Sequence, residues 1–219
     1  MNFNFISKTA LFHGCTEEDV QSIAKQLNFR KGNYKKGTII FAEGSIVTEI
    51  GLVLYGSVQF EHNDIWGGKT ILGIADTGNI FAETYACIPN EPMMINAVSN
   101  EDCEILFISV PKLLSPCFHH SKQNIIIQNL VIMCAQKNIQ LSKRSLHTSP
   151  KTIRGRLLSY FSEQISAQGS NKIIIPFDRQ QLAEYLNLDR SALSKELAKM
   201  KKDGLIEYRK NVFEIKIYI

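Results

Sequence analysis

Between Asp189 and Lys202 the chain carries polar and cationic side chains on one side of a segment whose other side is apolar. Leu193, Leu197 and Met200 recur at steps of four and three, the spacing of one helix face. Arg190, Ser191, Ser194 and Lys195 then point away from that face, within the first two turns. An Arg guanidinium can grip guanine O6 and N7 together, and a Ser hydroxyl can pair with several base edges or a phosphate. Lys199, Lys201 and Lys202 lie farther along and suit phosphates or solvent. This is the chemistry of reading a DNA duplex. No nucleophile–base pair, metal triad or phosphate-cradling glycine loop occurs, so no catalytic residue and no metal ligand is expected.

The elements around this segment are marked by their caps. Asp189 is placed to cap the helix Arg190–Lys202, and Gly204 follows as its terminator. Upstream, Asp178-Arg-Gln-Gln181 reads as a capping signature for a helix ending near Leu186. Ala183 is small enough for a second helix to cross close by, and Asn187-Leu188 makes the turn, since Asn tolerates the left-handed conformation. Two short helices so joined form a helix-turn-helix, whose second helix enters the major groove. Arg179 and Gln180 then face the phosphate backbone, and Asp189 and Ala192 join the contact set around Arg190. Leu205–Tyr208 and Val212–Ile217 alternate like a hairpin with Arg209-Lys210-Asn211 at its tip, so Arg209 and Lys210 form a basic wing.

The rest of the chain must position this reader. A helix begins at Thr16, whose side chain can cap an acidic first turn. From about Asn33 to Val110, short apolar segments alternate with glycines: Gly37–Gly44, Ile50–Tyr55, Gly56–Phe60, Trp66–Gly73, Gly78–Glu83, Ile95–Ser99 and Glu104–Val110. Some seven strands so spaced suggest a roll or sandwich. A long helix follows from about Ser121 to Arg144, with Ile127, Leu130, Val131, Cys134 and Leu141 on one stripe. Ile125, Ile126, Ile132 and Met133 widen its apolar surface, so one side is expected to face its own strand domain and another a second copy of the chain. Ser149-Pro150 reads as the start of the next helix, which Gly169 ends, and Lys172–Pro176 as a short strand. The expected architecture is α+β: an N-terminal antiparallel, jelly-roll-like β-roll sensor domain over residues 1–118, a dimerisation helix and hinge over 119–147, and a winged helix-turn-helix domain over 148–219.

Charge supports a polyanion partner for the C-terminal half. The net charge is +4 over 219 residues. Residues 1–121 hold 8 Lys/Arg and 13 Asp/Glu, against 17 and 8 in residues 122–219. No apolar run is long enough to span a bilayer and no signal peptide is read, so no membrane partner and a cytoplasmic location are expected. The five cysteines are widely spaced and include no C-x-x-C pair, so reduced, mostly buried thiols are expected. The five histidines carry no ligand pattern and are expected at the surface.

In this order and spacing, several segments resemble the CRP/FNR family of bacterial transcription regulators. They are Gly37-Thr-Ile-Ile-Phe-Ala-Glu-Gly44, Leu54-Tyr-Gly-Ser-Val58, Gly78-Asn-Ile-Phe-Ala-Glu83, Arg179-Gln-Gln-Leu-Ala183, Arg190-Ser-Ala-Leu-Ser-Lys195 and Asp203-Gly-Leu-Ile206. The resemblance implies a cyclic-nucleotide-binding-type sensor, a homodimer on a palindromic promoter site and control of RNA polymerase. It places Arg190 and Lys195 at the family's recognition-helix contacts. Ser191 stands where many members carry Glu, and Glu196 where an apolar residue is usual. Glu83 matches the sensor's Glu, but Ala82 replaces the usual Gly. The loop Ile88-Pro-Asn-Glu-Pro-Met-Met94 lacks the phosphate-binding Arg, and no Lys or Arg occurs from Thr70 to Pro111. A buried phosphate without a cation is poorly compensated, so cyclic AMP is not the expected effector and no cofactor is assigned. Ala82, Glu83, Tyr85, Cys87, Met93 and Met94 could instead line a small apolar site or simply fill the roll. The alternatives are a regulator of the same fold that needs no effector, and a ligand-binding subunit that binds no DNA.

Overall fold

The computed structural model describes residues 1–63 and 69–216. Trp66-Gly-Gly68 of the expected strand Trp66–Gly73, and the expected strand end at Ile217, lie outside the described residues. The chain divides into two compact units, Met1–Gln136 and Lys137–Ile219.

The first unit opens with helices α1 (Phe3–Ser7) and α2 (Glu17–Leu27). Thr16 caps α2 as expected: its hydroxyl accepts the Asp19 N–H at 3.1 Å, and the Asp19 carboxylate accepts the Thr16 N–H at 2.9 Å. Eight strands follow among the described residues: β1 (Arg30–Tyr34), β2 (Ile39–Phe41), β3 (Glu49–Tyr55), β4 (Ser57–Asn63), β5 (Lys69–Asp76), β6 (Ile80–Phe81), β7 (Asn96–Ser99) and β8 (Cys103–Ser109). Short helices α3 (Glu83–Cys87) and α4 (Val110–Leu113) flank the last two. Two antiparallel sheets, ordered β1-β8-β3-β6 and β2-β7-β4-β5, form the roll. Strand β8 belongs to two cores at once. Ile105 and Phe107 fill the roll, whereas Leu106 and Ile108 pack with α1 and α2. A strand covered on both faces reads as an unbroken apolar run, as Ile105–Ile108 does. Opposite it, Gly51 admits no side chain, because a Cβ there would stand 2.3 Å from the Phe81 ring.

Helix α5 (Gln123–Thr148) is 26 residues long, and the division between the units falls within it. Ile126 and Leu130 are buried in the core beside α1 and α2, with Ile127, Met133 and Cys134 packed against it. The Asn129 amide donates to the carbonyls of Leu11 and His13 at 3.0 and 2.8 Å. Of the expected dimer-helix stripe, Leu130, Ile127 and Cys134 thus pack with their own chain, Leu130 buried and the other two half-buried. Val131 and Leu141 are exposed, together with Ile132, Ile139 and Leu146. The last three stand seven residues apart and so share one line along the helix.

The second unit holds α6 (Ile153–Gln168), β9 (Lys172–Ile174), α7 (Arg179–Tyr185), α8 (Arg190–Lys202), β10 (Ile206–Arg209) and β11 (Val212–Ile215). The strands pair in the order β10-β11-β9. Leu157, Tyr160, Phe161, Leu182, Leu193, Leu197, Met200 and Phe213 are among its buried residues. The start of α6 differs from the expectation. Ser149 still bonds back to the Ser145 carbonyl at 2.9 Å, so it closes α5. Thr152 is the cap instead, its hydroxyl accepting the Gly155 N–H at 3.0 Å. Two further expectations are corrected. Cys87 and Cys117 are exposed rather than buried, and His147 is only 3% exposed.

Candidate nucleic-acid interface

Helix α7 starts at a complete capping box. The Asp178 carboxylate accepts the Gln181 N–H at 2.8 Å, and the Gln181 side chain accepts the Asp178 N–H at 2.9 Å. At its other end Asn187 takes φ +54°, the left-handed conformation expected from its type. The Leu188 N–H reaches back to the Ala183 carbonyl at 2.9 Å and the Asn187 N–H to Glu184 at 3.2 Å. That arrangement stops a helix and turns the chain at once. Asp189 then caps α8, accepting the Ala192 N–H at 2.8 Å and the Ser191 hydroxyl at 2.5 Å. The Ser191 hydroxyl and the Ala192 amide hold its carboxyl below the usual range, so it stays an anion at the positive end of the helix.

The expected contact residues fall into three groups. Arg190, Lys195 and Lys199 are exposed, and among the described residues their side chains make no hydrogen bond or ion pair. Ser191 and Ser194 are exposed, but each hydroxyl proton is given to the protein, to Asp189 and to the Arg190 carbonyl at 2.9 Å. They present lone pairs only. Asp189 serves the cap, and Ala192 is half-buried. On α7, Gln180 donates to Glu184 at 2.7 Å. Arg179 is turned away from the surface. Its guanidinium lies over the Phe213 and Tyr208 rings, 4.8 and 5.1 Å from their centroids, and donates to the Lys210 carbonyl at 2.8 Å. It braces the wing, leaving Arg209 and Lys210 exposed at the tip.

Several residues that matter here had no local signature. Glu196, a charge where the resemblance implies an apolar residue, pairs with Arg154 at 2.6 Å, and Arg154 also meets Asp203 at 2.7 Å. One Arg thus ties α6 to both ends of the last two turns of α8. Arg156 donates to the carbonyls of Pro150, Leu186 and Asn187 at 3.0, 3.1 and 2.9 Å. Arg144 donates to those of Tyr185 and Glu184 at 3.0 and 2.9 Å.

The expected effector residues are brought together only in part: Ala82 and Met93 share the roll core, and the Met94 N–H donates to the Tyr85 hydroxyl at 3.4 Å. Met93 is buried in the roll core with Phe81 and Phe107, and Tyr85 packs against that core. Met94 is 67% exposed and Cys87 is also exposed, which corrects their expected place inside. Glu83 is buried. Ala82 takes φ +61°, so the position keeps a conformation that favours Gly although the residue is not one. Among the described residues no group of His, Cys, Asp and Glu could hold a metal ion, and no helix is long and apolar enough to cross a membrane.

Comparison with known proteins matches both units. The cyclic nucleotide-binding domain family matches residues 31–120, and the Crp-like helix-turn-helix domain family matches residues 155–217. The chain belongs to the CRP/FNR family. Solved structures of the same fold include the catabolite activator protein of Thermus thermophilus, at 20% identity and a TM-score of 0.52, covering 95% of this chain and 94% of that one. They also include CLP, the c-di-GMP responsive global regulator of Xanthomonas campestris, at 16% identity and 0.55, covering 93% and 100%. CprK complexed with OCPA is similar at 16% identity and 0.61, covering 89% and 91%. No curated protein sequence matches the chain. As a CRP/FNR protein it is a transcription regulator with a cyclic-nucleotide-binding-type domain and a DNA-binding helix-turn-helix.

The turn of that motif yields a direct test. Asn187→Val forces a β-branched residue into the left-handed region and is expected to destabilise the C-terminal unit by about 1–2 kcal/mol. Asn187→Gly keeps the conformation and stays close to wild type. Denaturant unfolding followed in the far ultraviolet compares them; equal midpoints for wild type and Asn187→Val would contradict the turn.

Proposed function

We propose that this CRP/FNR regulator reads duplex DNA with Arg190 and Lys195 at the start of α8, supported by Lys199 along the helix and by the Arg209–Lys210 wing. The observation that carries the reading is that these cations stand exposed and unpaired on a helix whose start is fixed by the Asp189 cap. Arg190 is assigned to a base edge, Lys195 and Lys199 to phosphates, and the acceptor lone pairs of Ser191 and Ser194 to base amino groups. A second copy is assigned to the exposed line Ile132, Ile139 and Leu146, extended by Val131. Two copies then place two reading helices on a palindromic site about one turn of DNA apart, ~34 Å. RNA polymerase is the further partner that a family of promoter-binding regulators implies, and the cytoplasm is the matching location.

The sensor domain is assigned an effector other than cyclic AMP. CLP responds to c-di-GMP and CprK is complexed with OCPA, so the fold accommodates different ligands. Here the stretch Thr70–Pro111 has no cation. The nearby basic residues are spent: Arg30 on Glu49, Lys31 on Glu104 and Lys35 on Asp102, each at 2.6 Å. The Met93 side chain packed in the core favours a second form of this reading, in which no effector is required.

Three measurements decide these points. DNA affinity should fall by orders of magnitude between about 50 and 200 mM salt if ~6–10 phosphates are neutralised. Arg190→Ala should cost about 1–3 kcal/mol and relax sequence preference, whereas Lys199→Ala should weaken all sequences alike and lower the salt slope by about 1. Affinity that ignores salt would instead support a ligand-binding subunit. In sedimentation equilibrium, Ile139→Glu should convert a dimer into monomers that keep their helix content; a dimer that persists would move the interface elsewhere. Calorimetric titration with cyclic AMP should give no binding heat, and a micromolar isotherm would refute the cation argument.

A further inference from the structure

The end of α5 is built into the helix-turn-helix. An α-helix leaves its last four carbonyls without intrahelical partners. At the end of α7, Arg144 from α5 takes the carbonyls of Glu184 and Tyr185, and in the turn beyond it Arg156 from α6 takes those of Leu186 and Asn187. Almost one turn beyond Arg144, His147 is buried, with Nδ1 3.0 Å from the Tyr185 hydroxyl. Its ring stands edge-on to Tyr160 at 5.5 Å and beside Tyr185 at 5.8 Å. The Tyr160 hydroxyl in the same cluster is buried without a hydrogen-bond partner among the described residues. The joint is therefore tightly packed yet one partner short, an arrangement that small changes can unsettle.

We propose that Arg144 and His147 are positioning residues for DNA reading: they lock the last two turns of α5 to the turn that aims α8, so that loosening the lock lowers duplex affinity although neither residue meets the duplex. The inference rests on the reading of α8 as the DNA-contacting helix.

The charges around His147 make the lock sensitive to acid. Helix α5 contributes Lys143 and Arg144, α6 contributes Glu163 and Tyr160, and α7 contributes Tyr185. Glu163 Oε2 lies 3.8 Å from His147 Nε2, but Oε1 of the same carboxylate holds Lys143 at 2.5 Å. Little negative charge is left over for an imidazolium. Burial pushes His147 below the ordinary value of 6.5, against the pull of Glu163 and with the help of Lys143. The unlocked ring therefore takes up a proton at a higher pH than the locked one. Its contribution is fully present above 6.5 and is lost as pH falls below that value.

The test uses the full chain and a duplex enriched by the wild-type protein from a random-sequence pool, with affinity read by fluorescence anisotropy. Arg144→Ala and Tyr185→Phe are expected to bind about tenfold more weakly, and Arg144→Lys, which can donate to one carbonyl, in between. His147→Gln should flatten the loss of affinity that wild type shows from about pH 7.5 to about pH 5.5. Hydrogen exchange at the Leu186, Asn187 and Leu188 amides should quicken in Arg144→Ala while the unfolding midpoint shows that the chain remains folded. Wild-type binding with unchanged affinity in Arg144→Ala and the same pH profile in His147→Gln would overturn this inference alone. Failure of wild type to bind any duplex would overturn the functional reading and this inference with it.

Discussion

Two guanidinium groups meet the carbonyl oxygens of Glu184 and Tyr185, at the end of a seven-residue helix, and of Leu186 and Asn187, in the turn that follows it. A helix of that length is not stable by itself, because nucleation costs more than so few hydrogen bonds return. Charge-assisted donors at its open end supply what its own backbone cannot. Because only Leu186, Asn187, Leu188 and the capping residue Asp189 separate α7 from α8, whatever fixes that end also fixes the start of α8. The direction in which Arg190 points is thus decided by Arg144 and Arg156, which lie in two other helices. The Arg154 pairs with Glu196 and Asp203 repeat the device on the far side of α8. A reading helix has to hold its angle while its outer face stays empty for a ligand, and internal ion pairs and carbonyl contacts allow that without covering the face.

Helix α5 shows a related division of surface. Its first half spends one face on the core that contains Ile50, Leu52, Leu106 and Ile108. The line through Ile132, Ile139 and Leu146 has no such cover and would be costly to leave in water at that density of branched side chains. A helix that is apolar on two sides satisfies only one within its own chain, and the seven-residue repeat is the one that suits a helix of identical sequence.

What the amino-acid sequence disclosed depended on how local the cause was. Asp178, Gln181, Asn187 and Asp189 were legible because a cap or a turn is made by residues within three or four positions of one another. The strands of the roll were legible from their glycine spacing, except β1, whose Arg30-Lys-Gly-Asn-Tyr34 carries its pairing to β8 in the backbone and not in an apolar pattern. Ser149-Pro150 misled for a physical reason: a Pro suits the first turn of a helix, but it equally follows the end of one, and Thr152 offered a cap two residues on. The burial of His147 and the roles of Arg144, Arg156 and Arg179 had no local signature. Most of their hydrogen-bond partners are some thirty to forty positions away, and nothing in a single Arg says whether it faces solvent or a carbonyl. The apolar loop residues Met93 and Met94 look alike in sequence, yet one enters the core and the other does not, because the chain bends at Met94 and nothing local in the sequence marks which side chain turns inward.

The same distinction changes what the charge of the C-terminal half means. Residues 122–219 contain six arginines, and a count alone treats them as one basic surface. Arg144 and Arg156 are bound to backbone carbonyls, Arg154 to two carboxylates, and Arg179 to a carbonyl and two aromatic faces. Lys143 and Lys201 are likewise paired, with Glu163 and Glu207. Among the described residues only Arg190 and Arg209 of these arginines are exposed without an internal acceptor, one on the first turn of α8 and the other at the wing. An Arg committed to internal acceptors releases no counterion when a polyanion arrives, so the attraction to DNA must come from fewer groups than the composition suggests. Those groups are gathered on the two elements that a winged helix-turn-helix presents to a duplex. The excess charge of this half therefore does two separate jobs. Most of its arginines build the frame, and the few left over are where the frame points them.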